Sequence, residues 1–298
     1  MELPGVIATA VPAGKEDIRV RRRPVPERLE KATTSGEDWD LDGRRFLLRL
    51  PGIGRLLASD GCNLDIDTEP GADPAEAMPF LLGTVFGALL LQRGGFVLHA
   101  SSVAFGGKAW VFCGHRGIGK STLAASLCQA GCTFVNDDVC RIEPDGTERP
   151  VVWPDGRRLK LLNESIAGLD LEGWRRDIVQ SGIGKYYVEP CGPQADRPVP
   201  VGAIYILNDE APAGEAGIVQ LRALDAAQCL LNESYRPRLA LGIGQSGRHI
   251  TRHVTVTAAI LAHAHVFQLS RLRSLNRLPG TVAELLAHWR GLIAASAE

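Results

Sequence analysis

Two short stretches of the chain carry residue types suited to phosphate chemistry. The first, Gly114-His115-Arg116-Gly117-Ile118-Gly119-Lys120-Ser121, fits the pattern G-x-x-x-x-G-K-[ST]. Its glycines permit a tight backbone whose N–H groups can cradle phosphate oxygens. Lys120 adds a fixed positive charge for β- and γ-phosphates, and Ser121 offers a hydroxyl to Mg²⁺. Upstream, Ala109 to Cys113 reads as a buried strand. Downstream, Ser121 to Ala130, with Thr122 in the first turn, reads as a helix capped by Gly131. A helix N-terminus at the end of a glycine loop favours an anion through its free amides and its dipole. A glycine-rich turn with no ligand is the competing reading, and this strand–loop–helix context speaks against it.

The second stretch is Asp137-Asp138, 17 residues after Lys120. It closes a short strand, Thr133 to Asn136. If that strand lies beside the first, both carboxylates reach a terminal phosphate. One would hold Mg²⁺ and the other would accept a proton from an attacking hydroxyl. Asn136-Asp137-Asp138 also has good turn chemistry, and its place beside the glycine loop is what favours the catalytic reading.

Other candidates carry less specific signals. His99 either tunes the base or contacts phosphates, or it is an ordinary strand histidine. Arg157, Arg158 and Lys160 follow the turn Pro154-Asp155-Gly156. They either meet phosphoryl charge or an acidic substrate, or form a solvated basic face. Arg116 lies inside the loop. Lys185, beside Tyr186 and Tyr187, is a further acceptor-contact candidate. Gly242 to Gly247 resembles a glycine loop but lacks lysine and a preceding strand, so a flexible connector is expected there.

The elements that must position these residues come from a chain of 298 residues, 45% hydrophobic, with a net charge of −1. That charge gives no global field toward nucleic acid or anionic membrane. The seven cysteines include no C-x-x-C pair, so neither a metal-site spacing nor a disulfide framework is expected. Pro4, Gly5 and Pro12 interrupt the early apolar residues, so no secretory leader is expected. The apolar run Pro79 to Leu91 is short for a bilayer span and reads as a buried helix. A soluble, cytoplasmic protein is the expectation.

Residues 1–36, rich in Pro, Arg and Glu, read as a loosely packed arm. Residues 37–95 read as a β-rich extension with a helix that starts at Asp73-Pro74 and ends at Gly94-Gly95. Residues 96–298 read as the nucleotide-binding catalytic core. Within it, 96–103 pairs with 109–113 through Gly106-Gly107. Leu159 to Leu169 looks amphipathic, and Val199 to Leu207 is an apolar strand. Leu224 to Asn232, His249 to Ala264 and Thr281 to Ala295 look helical, with a strand at 266–269. The oligomeric state is open, a homo-oligomer included.

The order His99, glycine loop, Asp137-Asp138 resembles the catalytic core of the HPr kinase/phosphorylase family. The segments LHASSVAF, VFCGHRGIGKSTLAASL and TFVNDDVCRI resemble in particular the HPr-kinase-related proteins of peptide-modification gene clusters, including lasso-peptide clusters. The resemblance covers roughly residues 39–295. The chain departs from the HPr kinases at His115-Arg116 and Ala100, and it lacks their Glu-Ile-Arg-Gly-Leu-Gly type segment. The resemblance implies an α/β fold akin to phosphoenolpyruvate carboxykinase, with a mixed, largely antiparallel sheet. It implies an ATP- and Mg²⁺-dependent kinase acting on a serine of a small protein or peptide, a lasso precursor among the candidates. In that frame Gly114 to Thr122 bind the nucleotide, and Ser121 and Asp137 hold Mg²⁺. Asp138 or Asp137 is the base, Lys120 is catalytic, and His99 lines the site. A small-molecule kinase and a nucleotide sensor without transfer are the alternatives.

Overall fold

The computed structural model describes residues 18–180, 183–209, 217–243 and 248–296. The first half of the expected arm (1–17) and the tip of the glycine run (244–247) lie outside the described residues.

The N-terminal part is a six-stranded sheet. Its strands are β1 (Arg19–Arg22), β2 (Thr34–Ser35), β3 (Trp39–Leu41), β4 (Arg45–Leu50), β5 (Gly54–Ser59) and β6 (Asn63–Thr68), in the order β1-β6-β5-β4-β3-β2. β1 was expected to belong to a loose arm, yet it runs parallel to β6. Charge and apolar burial together account for this. Arg21 and Arg23 both reach Asp65, at 3.0 and 2.5 Å. Val25 and Leu29 bury against Leu47 and Leu57. Two apolar side chains scattered among prolines and arginines leave no periodicity to read.

A long helix lies against this sheet. It comprises α1 (Pro74–Phe80), a π turn (Leu81–Val85) and α2 (Phe86–Gln92). Asp73 caps it by accepting from the Ala75 amide at 2.9 Å, with proline in the first turn. Ala75–Gln92 is long and apolar enough to cross a membrane by composition, and 61% of it is buried inside the protein. Leu81, Leu82, Val85 and Leu89 meet Leu56, Leu64 and Ala58 of the sheet.

The central sheet has nine strands. Its first six are β7 (Phe96–Leu98), β8 (Ala100–Phe105), β9 (Lys108–Cys113), β10 (Thr133–Asp137), β11 (Cys140–Pro144) and β12 (Pro150–Val152). A separate three-stranded sheet, β13 (Leu159–Leu162), β14 (Arg175–Gln180) and β15 (Lys185–Val188), follows in the chain. The central sheet is completed by β16 (Val199–Asn208), β17 (Gly217–Gln220) and β18 (His265–Ser270). β16 is parallel to β9 and β18, and the remaining ladders are antiparallel. The β8–β9 hairpin turns at Gly106 and Gly107, both at positive φ. The stretch 96–103, expected as one strand, breaks at His99. β7 pairs with β11, whereas β8 pairs with β9 and β10. The segment 159–169, expected as one amphipathic unit, is β13 followed by the short helix α4 (Asn163–Gly168).

Period-two alternation along β9 feeds two cores. Trp110 and Phe112 face α3 (Lys120–Gln129) and α8 (Leu278–Ala295). Val111 and Cys113 join the opposite cluster, with residues of α5 (Ala223–Asn232) and α7 (Arg248–His263). Trp289 stacks on Trp110 at 4.6 Å and donates to the Tyr205 hydroxyl at 3.0 Å. The remaining helix, α6 (Pro237–Ile243), packs on the N-terminal part. A Cβ at Gly87 would sit 2.3 Å from the Tyr235 ring, so glycine permits the helix to approach the segment between α5 and α6. Gly87→Val should therefore destabilise the protein by about 1–3 kcal/mol, the usual cost of overpacking. Urea unfolding checks this, and an unchanged midpoint would mean that the contact is not tight.

Candidate functional site

The loop 114–119 joins β9 to α3. Gly114, Gly117 and Gly119 have φ of 139°, 88° and 94°, values that side chains with a Cβ rarely adopt. No side chain caps the first turn of α3 among the described residues, so its leading amides remain available to an anion. Lys120 is buried at the base of the loop and donates to the carbonyls of Gly114 (2.6 Å) and His115 (3.2 Å). Burial lowers its pKa, against the opposing pull of Cys113, Asp137, Glu233 and Asp138. Two arginines after β18 brace the loop. Arg271 donates to the Ile118 carbonyl at 2.9 Å and Arg273 to that of Gly117 at 2.6 Å. Pairing those carbonyls with cations reduces their repulsion toward an anion in the loop. His115, Arg116 and Gly117 are exposed. The His115 ring sits 3.0 Å from the Arg116 carbonyl and 3.4 Å from Asp209, which together raise its pKa.

β10 delivers the two aspartates. Asp137 is buried, and three elements satisfy its carboxylate. Oδ1 accepts from Ser121 (2.8 Å, α3) and Ser101 (2.5 Å, β8), and Oδ2 accepts from the Lys160 amide (3.0 Å, β13). Asp138 follows at φ 81°, a strained conformation for a residue other than glycine. Its Oδ2 lies 2.7 Å from Lys160 Nζ. His99 Nδ1 lies 3.2 Å from its Oδ1 and 3.1 Å from its carbonyl. Both neighbours are acceptors, so Nδ1 carries the proton. Burial opposes the charged form of Asp138. The Lys160 ammonium and the His99 N–H outweigh burial and hold the carboxyl well below the usual aspartate range. Lys160 is raised in turn: burial lowers its pKa, and the Asp138 charge more than offsets that.

These groups face one cleft of about 690 Å³. His99, the glycine loop, Lys120, Ser121, Thr122, Asp137, Asp138, Lys160 and Lys185 all line it. Thr122 also meets the Ser165 hydroxyl at 3.0 Å. The basic cluster expected to act together is divided. Lys160 is in the cleft. Arg158 pairs with Glu189 at 3.4 Å, and Arg157 lines a separate cavity. Both arginines precede β13, where no strand periodicity holds neighbours on one face.

Several site residues gave no sequence signal. Glu233, just past α5, accepts from the Gly114 amide at 2.8 Å, and its own carbonyl takes the His99 amide at 3.0 Å. Tyr235 lies 6.1 Å from the His99 ring. Arg236 donates to Thr84 in the π turn at 2.6 Å. Ser101, Arg271 and Arg273 belong to no motif. No group of three or more His, Cys, Asp or Glu suited to a metal occurs among the described residues. Ser121 Oγ and Asp137 Oδ1 are hard oxygen donors 2.8 Å apart. They fit an ion such as Mg²⁺, which keeps several waters and takes its other ligands from phosphates.

No family model matches the chain, and no curated protein matches it. Among solved structures, the HPr(Ser) kinase/phosphatase from Coxiella burnetii is similar at 13% identity. The match covers 64% of this chain and 95% of that one, with a TM-score of 0.36. A likeness of that size decides nothing about the chemistry, which rests on the geometry of the cleft.

The Asp138–Lys160 pair also sets a pH dependence. Asp138 is depressed, so its contribution is present above the ordinary aspartate value of about 3.9 and is lost as pH falls from there toward the folded value. Lys160 is raised, so its share is present below about 10.4 and is lost as pH rises through the folded value. Lys160→Met should cost about 3 kcal/mol at pH 7, the lower end for a broken pair because Asp138 is partly open to the cleft. It should also flatten the loss of stability below pH 4. Urea unfolding from pH 3 to 8 tests this, and parallel profiles for variant and wild type would refute the pairing.

Proposed function

We propose that this chain is an ATP- and Mg²⁺-dependent kinase that transfers the γ-phosphate to a serine hydroxyl of a small protein or peptide. One observation carries the reading. Lys120, Ser121, Asp137 and Asp138 meet in one cleft at the mouth of a glycine loop that opens a helix. Phosphoryl transfer asks the protein mainly for positioning and charge stabilisation, and these residues suit both tasks. The loop amides and Lys120 hold the triphosphate. Ser121 and Asp137 are the ligands for Mg²⁺, which when bound neutralises charge on the phosphates.

Asp138 is the proton acceptor. Paired with Lys160 it is a weak base, because its pKa lies well below neutrality. A γ-phosphate in the cleft competes for the Lys160 ammonium. Losing that partner raises the basicity of Asp138 as the acceptor hydroxyl arrives. His99 keeps the carboxylate oriented. Lys160 then faces the transferred phosphoryl group, where its charge is stabilising. The cleft rim carries Leu162 and Ile183, 40% and 42% exposed, beside Lys185. An apolar and cationic rim suits side chains of an extended peptide.

Lys120→Ala should abolish transfer and weaken nucleotide binding while leaving the circular-dichroism spectrum unchanged. Near wild-type transfer would remove the phosphate role of the loop. Asp138→Asn should lower kcat by about 10²–10⁴-fold, the usual range for a general base, at unchanged Mg²⁺ dependence. Asp137→Asn should instead shift the Mg²⁺ titration to higher concentration. If neither substitution slows transfer tenfold, the pair is only a turn. Incubation with ATP, Mg²⁺ and serine-containing peptides, read by mass spectrometry, should show one added phosphate that disappears when the serine is alanine. Phosphorylation of free serine with peptides ignored would favour a small-molecule kinase. Nucleotide binding with no transfer to any acceptor would favour a sensor.

A further inference from the structure

The cleft has two ends. At one, the glycine loop, Lys120 and Ser121 suit phosphates. At the other, Asp138 lies against the π turn, where a Cβ on Gly83 would sit 3.5 Å from its Oδ2. Thr84, the next residue, accepts from Arg236 Nη2 at 2.6 Å. The helix α1 meets β14 beside this turn, and Phe80, Val179 and Ile183 give the lining there an apolar character. Lys185, in register with Gln180 of β14, also lines the cleft.

Charge in the cleft is unevenly satisfied. Among the described residues its acids are all occupied. Asp137 serves Ser101, Ser121 and the Lys160 amide, Asp138 serves Lys160 and His99, and Glu233 serves the Gly114 amide. Arg236 and Lys185 pair with no acid among the described residues. Arg236 also has a φ of 48°, left-handed backbone that is unfavourable for a long side chain and recurs at ligand clamps. Thr84 fixes one end of its guanidinium, and the Tyr235 ring lies 5.9 Å from the central carbon. A guanidinium has five N–H groups, so most remain for a ligand. Both contacts lie outside the glycine loop, which sets Arg236 apart from the phosphate end.

Resting on the kinase reading for where the serine sits, we propose that the acceptor is an acidic peptide, whose aspartate or glutamate close to the serine is bound by Arg236, with Lys185 adding charge. Arginine takes a carboxylate through two parallel N–H bonds, and an apolar wall strengthens them by lowering the local dielectric. The path from Asp138 through Gly83 and Thr84 to Arg236 is short, so the acid falls within about four extended residues of the serine.

Binding and transfer are read separately on the full chain. Fluorescent peptides carry one serine and one Asp, set at each of the four positions on either side, with Asn and Lys twins. Anisotropy is measured with Mg²⁺ and a non-hydrolysable ATP analogue present. At least one Asp peptide should bind about tenfold or more tighter than its Asn twin, as a charge-assisted hydrogen bond allows, and the Lys twin should bind more weakly still. Arg236→Gln should cut the preference below about threefold by weakening the Asp peptide alone. Lys185→Gln should reduce it by a smaller factor. Arg238→Gln, at an exposed residue outside the cleft lining, should leave it unchanged. Transfer from ATP should show the preference in KM rather than kcat. Should Arg236→Gln not fold, Thr84→Val, which removes the oxygen that aims the guanidinium, must lower the preference. Equal binding of Asp and Asn peptides overturns the proposal. So does a preference that survives Arg236→Gln, an equal loss of both peptides in that variant, or no binding of any peptide. Transfer without an acidic preference removes this inference alone. An Arg236-dependent preference without transfer removes the kinase reading and leaves an acidic-peptide site.

Discussion

The buried carboxylate of Asp137 is the constraint on which the rest of the site depends. An ionised group in the interior must have its oxygens satisfied, because an unpaired charge there costs far more than the protein's net stability allows. Asp137 meets that demand through Ser101 on β8, Ser121 on α3 and the backbone of Lys160 on β13. Those three elements come from the central sheet, the loop-borne helix and the small three-stranded sheet. One side chain therefore ties the three together, and the hydroxyl proposed for Mg²⁺ is one of its partners.

Asp138 continues the same arrangement with the opposite balance. Its conformation is strained, it is partly open to the cleft, and a lysine and a histidine from different elements hold its charge. Asp137 takes three hydrogen bonds from three elements and serves as a fixed anchor, with acceptor capacity left for the proposed Mg²⁺. Asp138 has a partner that an incoming anion can draw away. Two adjacent residues of one type thus acquire separate properties from their surroundings.

The N-terminal half takes part in the site as well. The π turn brings Gly83 to the aspartate, where a Cβ would lie 3.5 Å from Asp138 Oδ2. Thr84 in that turn receives Arg236, and Gly87 receives the Tyr235 ring that faces His99. The segment from Asp155 to Lys160 reaches both ways. Arg157 lines the separate cavity, and three residues later Lys160 enters the cleft.

The amino-acid sequence alone determined the parts whose chemistry is local. The glycine loop is written in residues adjacent along the chain, as are the strand and helix that flank it. Asp73-Pro74 as a helix start, Gly106-Gly107 as a hairpin turn and the apolar strand at Val199 are local in the same way, and all appear in the structure. The tertiary structure alone decided which distant groups share a cleft. Glu233, Ser101, Arg271 and Tyr235 have ordinary neighbours in the chain, and their roles come from sheet order and helix docking. The same holds for the basic run 157–160, which looks like one cluster in sequence and is sorted to three places. Without a regular period, backbone geometry rather than proximity in sequence sends each side chain its own way. The arm's strand was hidden for a related reason: pairing with β6 rests on long-range charge and on two apolar side chains, too few to leave a pattern.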